Sequence, residues 1–179
     1  SVDMFLSAGE KISSFVLADY LNSEGIKTGF VDPSGVIITD SRHTNASVDF
    51  DKTGPAVSSR IVPLFEHNQI IVTAGFIGSD PTGAVTTLGR GGSDYSASVL
   101  AVCLKAEILE IWKEVDGIMT TDTRIVKNAI PVESLSYTEA SELAFFGAKV
   151  LHPKTIRAAV MADIPVIVKK TSDPHFKGT

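Results

Sequence analysis

Apolar runs of strand length recur along the chain and alternate with segments whose apolar positions follow helical spacing. The clearest runs are Gly35–Thr39 (GVIIT), Gln69–Ala74 (QIIVTA), Glu107–Trp112 (EILEIW) and Pro165–Lys169 (PVIVK), with a fainter one at Gly25–Val31. Their near-continuous Val and Ile content predicts strands buried on both faces, as in a parallel sheet flanked by helices. A helix is predicted over Glu10–Ser23, where Ile12, Phe15, Val16, Leu17, Tyr20 and Leu21 form a stripe and Gly25 supplies the stop. Phe5 and Leu6 run straight into this helix with no structured lead-in. Further helices are predicted over the Ala-rich Ser93–Lys105, over Tyr137–Phe146 with Ser136 and Glu139 at capping-box spacing, and over Lys154–Ala162 behind Pro153. A short helix follows Pro63. The alternation is that of an α/β domain. No repeat, charge block or Pro- or Ser-rich linker divides it.

Composition narrows the class. With 179 residues, 44% hydrophobic and 21% charged, the chain can bury a core without staples and is neither disordered nor of low complexity. The single Cys103 makes no internal disulfide and no Cys-based metal site, which points to a reducing compartment. No apolar run reaches the roughly 18 residues of a membrane span. The opening SVDMFLSAGE has acids and no basic cluster, unlike a signal peptide. A formal charge of −5 argues against nucleic acid as a partner, so any bound anion needs a local basic pocket.

Such a pocket is suggested by Thr73–Ser98, where a strand end passes through a Gly- and Thr-rich loop into Gly89-Arg90-Gly91-Gly92-Ser93-Asp94 and a helix. Glycines allow close backbone approach, the helix start offers free N–H groups, and Arg90 adds a cation fitted to a carboxylate or phosphate. The segment is no P-loop, since no GK[ST] follows the glycines. Its G-x-G-G spacing, and a strand that ends too early for a tight turn, also set it apart from a dinucleotide fingerprint. That holds even though Glu110 closes the next strand at a suitable distance.

Three strings carry a family resemblance. LGRGGSDYSA (Leu88–Ala97), IWKEVDGIMTTDTR (Ile111–Arg124) and SLSYTEASELAFFGAKVLHPKTI (Ser134–Ile156) resemble motifs of aspartokinases, within the amino-acid kinase family. SAGE (Ser7–Glu10) and KKTSDP (Lys169–Pro174) extend the likeness over essentially the whole chain. The wording is closest to the kinase domain of the bifunctional aspartokinase/homoserine dehydrogenases. The resemblance implies a three-layer α/β/α sandwich with a mainly parallel sheet. It also implies an activity: ATP-dependent phosphorylation of the side-chain carboxylate of L-aspartate, with Mg²⁺, in aspartate-family amino-acid biosynthesis. The full enzyme would be a dimer in the cytoplasm, or in a plant plastid.

Matched to those motifs, Glu10 would bind the amino group of aspartate, although Ser7 and Glu10 also have capping-box spacing. Arg90 would hold a substrate carboxylate, with Gly91, Gly92 and Ser93 as donors beside it. Asp94 would orient catalytic lysines, a role compatible with that of an acid in a helix's first turn. Lys149 would stabilise charge on the transferring phosphoryl, and Val150 and Arg124 would contact the nucleotide. The sequence departs from the family at Lys113-Glu114, where a Thr-Asp pair is usual, at Met119 in place of a tyrosine, and at Thr123 in place of a proline. Nucleotide contacts are expected at Lys113, Glu114 and Met119 through backbone more than side chain. No metal ligand set is expected. His152 reads as structural, Trp112 as core, and Cys103 as a small core residue. His43, His67 and His175 lack metal-ligand spacing, while Asp49, Asp51 and Asp80 read as solvated.

The attacking carboxylate has a reference pKa of about 3.9 and needs no general base. Catalysis then rests on in-line positioning and charge neutralisation. The family's N-terminal KFGGTS-like phosphate segment and its C-terminal ACT domains have no counterpart here. The chain therefore reads as a partial kinase domain, truncated at the N-terminus, inactive alone and with an exposed sheet edge or apolar patch. Two other readings remain open: a kinase acting on glutamate, acetylglutamate or a nucleoside monophosphate, and a non-catalytic nucleotide- or amino-acid-binding module.

Overall fold

The computed structural model describes residues 1–115, 117–121, 126, 128–145, 151 and 153–179. It opens on helix α1 (Val2–Ser23), followed by β1 (Thr28–Val31), α2 (Phe50–Arg60), β2 (Ile70–Thr73), β3 (Ile77–Ser79) and β4 (Val85–Thr87). Helix α3 (Gly92–Leu104), β5 (Leu109–Lys113), α4 (Tyr137–Phe145), α5 (Pro153–Met161) and β6 (Val166–Lys170) complete it. Among the described residues the strands form two parallel pairs and one hairpin. β1 runs parallel to β2 in the register Thr28↔Ile70 to Val31↔Thr73, and β5 runs parallel to β6 from Leu109↔Val166 to Lys113↔Lys170. β3 and β4 are antiparallel. Strand–helix–strand order with parallel pairing is the expected α/β organisation.

Helix α1 begins well before the predicted Glu10. Ser1 caps it by accepting the Met4 N–H, so Ser7 lies inside the helix, buried, with its hydroxyl donating to the Met4 carbonyl. Glu10 is therefore no capping-box member. The helix ends as expected: Gly25 takes φ 83° and the Ile26 N–H reaches back to the Leu21 carbonyl. Its amphipathicity is inverted, however. The buried stripe is Asp3, Ser7, Ser14 and Ala18, while Ile12, Phe15, Val16 and Leu17 of the predicted apolar stripe are exposed. Small residues let α1 lie close on β1, β2 and β4, and that close fit decides which face turns inward.

Gly35–Thr39 is not a strand of a ladder. Asp32 accepts the Ser34 N–H and, with Pro33, winds Pro33–Gly35 into a 3₁₀ turn. Val36 and Ile37 then enter the core, and only single bridges, Ile38 to Ser79 and Thr39 to Val48, follow. Strands are not uniformly buried on both faces either, since β5 alternates with Leu109 and Ile111 in and Glu110 and Trp112 out. Two elements had no sequence forecast. Helix α2 forms despite Gly54 and Pro55, with Asp49 capping the Lys52 N–H. The supposed loop after Ala74 contains the β3–β4 hairpin, and Asp80 closes its turn by accepting from Thr82, Ala84 and Ser41. Neither Asp49 nor Asp80 is merely solvated. The capping box of α4 is present: the Glu139 carboxylate accepts the Ser136 N–H at 2.7 Å and Ser136 Oγ accepts the Glu139 N–H.

Two clusters form the core. Ile111, Ile118, Leu151, Ile156 and Val168 pack between the β5–β6 pair and the helices, and Val36, Val57 and Ile61 pack beneath α2 and α3. Each fully buried aliphatic side chain contributes about 1.5–3 kcal/mol. Cys103 is half-buried against the second cluster, and burial pushes its thiol up.

Candidate functional site

The carboxyl ends of the parallel strands meet the start of α3. After β2 ends at Thr73, Gly75 and Phe76 turn against the first turn of α3. A Cβ on Gly75 would fall 2.9 Å from the Ser93 Cβ, and one on Gly92 would fall 2.6 Å from the Phe76 Cβ. Glycine is required at both positions by contact, not by φ. Ser96 locks the same corner, its Oγ accepting the Phe76 N–H at 2.8 Å and donating to the Gly92 carbonyl. β5 arrives from the other side. Its last residue, Lys113, places Nζ 2.7 Å from Asp94 Oδ2, and the Lys113 carbonyl accepts the Thr171 N–H beyond β6. In open α/β sheets the carboxyl ends of the strands, facing a helix N-terminus, are where ligands bind.

Arg90 lies in the turn that leads into α3, between Gly89 (φ 76°) and Gly91 (φ 70°). Both glycines take left-handed values that favour glycine. Its side chain is exposed, and among the described residues it makes no hydrogen bond or ion pair. Such a guanidinium is available for an anion. Of the three expected donors, Gly91 is half-buried, Gly92 is buried with its N–H already donated to the Gly89 carbonyl at 3.0 Å, and Ser93 is exposed. Glu10 is half-buried on α1 and likewise has no side-chain partner among the described residues. Glu114 is exposed and Met119 half-buried, the latter bridging Pro131 through its backbone. Lys149, Val150, Arg124, Thr123 and His152 lie outside the described residues.

Several contributors escaped the sequence. Lys154 donates to Asn45 Oδ1 at 3.0 Å and lies 6.0 Å from the Tyr95 ring centroid, close behind the Arg90 turn. Only its place after Pro153 hinted at it. Trp112, expected in the core, is 42% exposed, with Lys169 Nζ 4.6 Å over its ring and its indole N–H on Glu110. The stacked ammonium substitutes for burial there. His43, expected to do little, pairs through Nδ1 with the buried carboxylate of Asp3 at 2.7 Å. Burial raises the Asp3 carboxyl, but hydrogen bonds from Thr87, Thr44 and His43 outweigh it and hold the group below its ordinary value.

A sequence profile described as the amino acid kinase family matches residues 1–170. The chain belongs to the amino acid kinase family. Within that family it is 40% identical over 177 residues to lysine-sensitive aspartokinase 3 of Escherichia coli (strain K12), covering 99% of this chain and 39% of that protein. It is 42% identical to the chloroplastic aspartokinase 1 of Arabidopsis thaliana, covering 99% of this chain and 32% of that one. A bifunctional aspartokinase/homoserine dehydrogenase of Haemophilus influenzae matches at 36% over 96% of this chain and 21% of its own length. The chain thus spans about two fifths or less of these relatives. Among solved structures, E. coli aspartokinase III in complex with aspartate and ADP superposes with a TM-score of 0.94 at 40% identity, over 99% of this chain and 39% of that one. A UMP kinase from Bacillus anthracis shares the fold at a TM-score of 0.62 and 18% identity, covering 97% of this chain and 62% of that one. This amino acid kinase fold is the α/β class read from the sequence.

Proposed function

We propose that this chain supplies substrate and nucleotide groups of an aspartate kinase. That enzyme transfers the γ-phosphoryl of ATP to the side-chain carboxylate of L-aspartate, giving 4-phospho-L-aspartate and ADP in aspartate-family amino-acid biosynthesis. The observation that carries the proposal is the likeness, over nearly the whole chain, to the aspartokinase structure holding aspartate and ADP. Arg90, without a partner among the described residues, takes the aspartate carboxylate, and Glu10 takes its ammonium. The acceptor carboxylate is ionised at neutral pH, so its oxygen attacks directly as the bond to the ADP oxygen breaks. Asp94 holds Lys113 at the strand end, and in this reading the lysine faces the phosphates. Lys149 stabilises the transferring charge, and Val150, Arg124, Glu114 and Met119 contact the nucleotide.

Mg²⁺ is bound chiefly by phosphates and needs only one or two protein carboxylates. Bound there, the metal would neutralise phosphate charge. A cytoplasmic or plastid enzyme that dimerises completes the proposal.

Calorimetric titration of this polypeptide with L-aspartate, L-glutamate and ADP tests it. Arg90→Ala is expected to weaken aspartate binding by about tenfold or more, the scale of a charged hydrogen bond. ADP binding should stay unchanged. Equal affinity for glutamate, or aspartate binding indifferent to Arg90→Ala, overturns the reading.

A further inference from the structure

The carboxylate of Asp3 has no part in the chemistry above, yet it is 1% exposed in the first turn of α1. An acid at that place ordinarily faces solvent and complements the helix dipole. This one is turned inward and holds three groups from two other segments. Oδ1 accepts the Thr44 N–H at 2.8 Å and the Thr87 hydroxyl at 2.5 Å, and Oδ2 pairs with His43 Nδ1 at 2.7 Å.

Each of those contacts leads towards Arg90. Thr44 has φ 65°, a left-handed value that β-branched residues rarely adopt, and its N–H is the one Asp3 binds. Its carbonyl and the Asn45 side chain lie against Gly89, where a Cβ would come within 3.0 Å and 2.9 Å of them. The Ala46 N–H donates to the Thr87 carbonyl at 2.9 Å, tying the same loop to β4. Arg90 follows Gly89 directly. At the other end of the brace, Glu10 lies about two turns along α1 from Asp3.

We propose that Asp3 is a positioning residue that fixes the spacing between Glu10 and Arg90, by clamping α1 to the 43–46 loop and to β4. It thereby sets the affinity for a ligand carrying both an ammonium and a carboxylate. The inference rests on the reading of Glu10 and Arg90 as the aspartate-binding pair.

The test compares wild type with Asp3→Ala, Thr87→Val and Asp3→Asn, by amide hydrogen exchange and by titration with L-aspartate and with ADP. Asp3→Ala and Thr87→Val are expected to accelerate exchange at Ala46, Leu88 and Gly92 by about tenfold, as local opening frees their hydrogen bonds. Amides of β5 and β6 should exchange as in wild type. Aspartate affinity falls by about tenfold, the loss expected of a charged hydrogen bond, while ADP affinity holds. Asp3→Asn recovers most of both effects, because its carbonyl still accepts from Thr44 and Thr87 while its amide faces His43 Nδ1. If Asp3→Ala fails to fold, Thr87→Val carries the test.

Wild-type exchange at Ala46 and Gly92 in the variants overturns the proposal, as does uniform acceleration reaching β5 or unchanged aspartate affinity. If wild type itself binds no aspartate, the aspartate reading falls, and exchange at Ala46 and Gly92 still decides whether Asp3 holds the Arg90 turn.

Discussion

Lys113 Nζ and Asp94 Oδ2 are 2.7 Å apart, joining the carboxyl end of β5 to the first turn of α3. The side chains are 27% and 20% exposed, so the pair is screened less than a surface ion pair and still hydrated. A double-mutant cycle with Lys113→Met and Asp94→Asn is expected to show a coupling of about 0.5–1 kcal/mol in urea unfolding. If the Lys113 side chain faces the phosphates as proposed, ADP titration of the same variants is expected to show about fivefold weaker binding for Lys113→Met. Unchanged ADP affinity would remove the Lys113 side chain from the phosphates.

Glu10 makes its own forecast. If its carboxylate binds the substrate ammonium, wild type prefers L-aspartate to succinate, which has both carboxylates and no amine. Glu10→Gln should lower aspartate affinity by about tenfold and leave succinate nearly unchanged. A preference that survives the substitution assigns Glu10 elsewhere.

Gly92→Ala probes the corner where the site is built. The added Cβ would sit 2.6 Å from the Phe76 Cβ in a buried position. Overpacking of that kind costs about 1–3 kcal/mol. A lowered midpoint of thermal unfolding is expected, whereas Gly9→Ala, in open space on α1, should be neutral or slightly stabilising.

Acid should reveal the Asp3 carboxylate. Its folded-state pKa lies below the ordinary value, with desolvation opposing and hydrogen bonds prevailing. Its contribution is therefore complete above about pH 3.9 and is lost as pH falls through the lower folded value. Unfolding measured from pH 6 downward should show a shallower acid decline in Asp3→Asn than in wild type. Parallel declines would place the depressed carboxylates elsewhere, at Asp32 or Asp40.

Much of this architecture is legible in the residues, and the exceptions have physical causes. β5 and β6 read correctly because EILEIW and PVIVK have strand length and run into turn residues. Helices α3 and α4 read correctly because glycines and a capping box mark their starts. Gly35–Thr39 misled because burial alone produces an apolar run, and the Asp32–Pro33 turn that breaks it is local chemistry. α1 misled in phase, since its tight seat on the sheet favours Ser7, Ser14 and Ala18 over larger side chains. The use of Arg90 and Asp94 as an anion site is the proposal, and the glycine turn and helix start that carry them were legible. Asp3 and His43 were not, because no spacing in the chain announces a contact between residues 40 positions apart.

The hydrogen bond from Thr87 to Asp3 closes a stretch of chain 84 residues long. Closing so long a loop carries an entropic cost that only a largely assembled structure can offset, and contacts of this separation slow folding. The Arg90 turn is consequently expected to mature late, since helices α1 and α3 and the β1–β2 pair can form from nearer partners while Asp3 has still to find β4. Refolding followed by far-ultraviolet circular dichroism should therefore run ahead of the recovery of aspartate binding. The order in which this chain acquires structure separates having a fold from having a site.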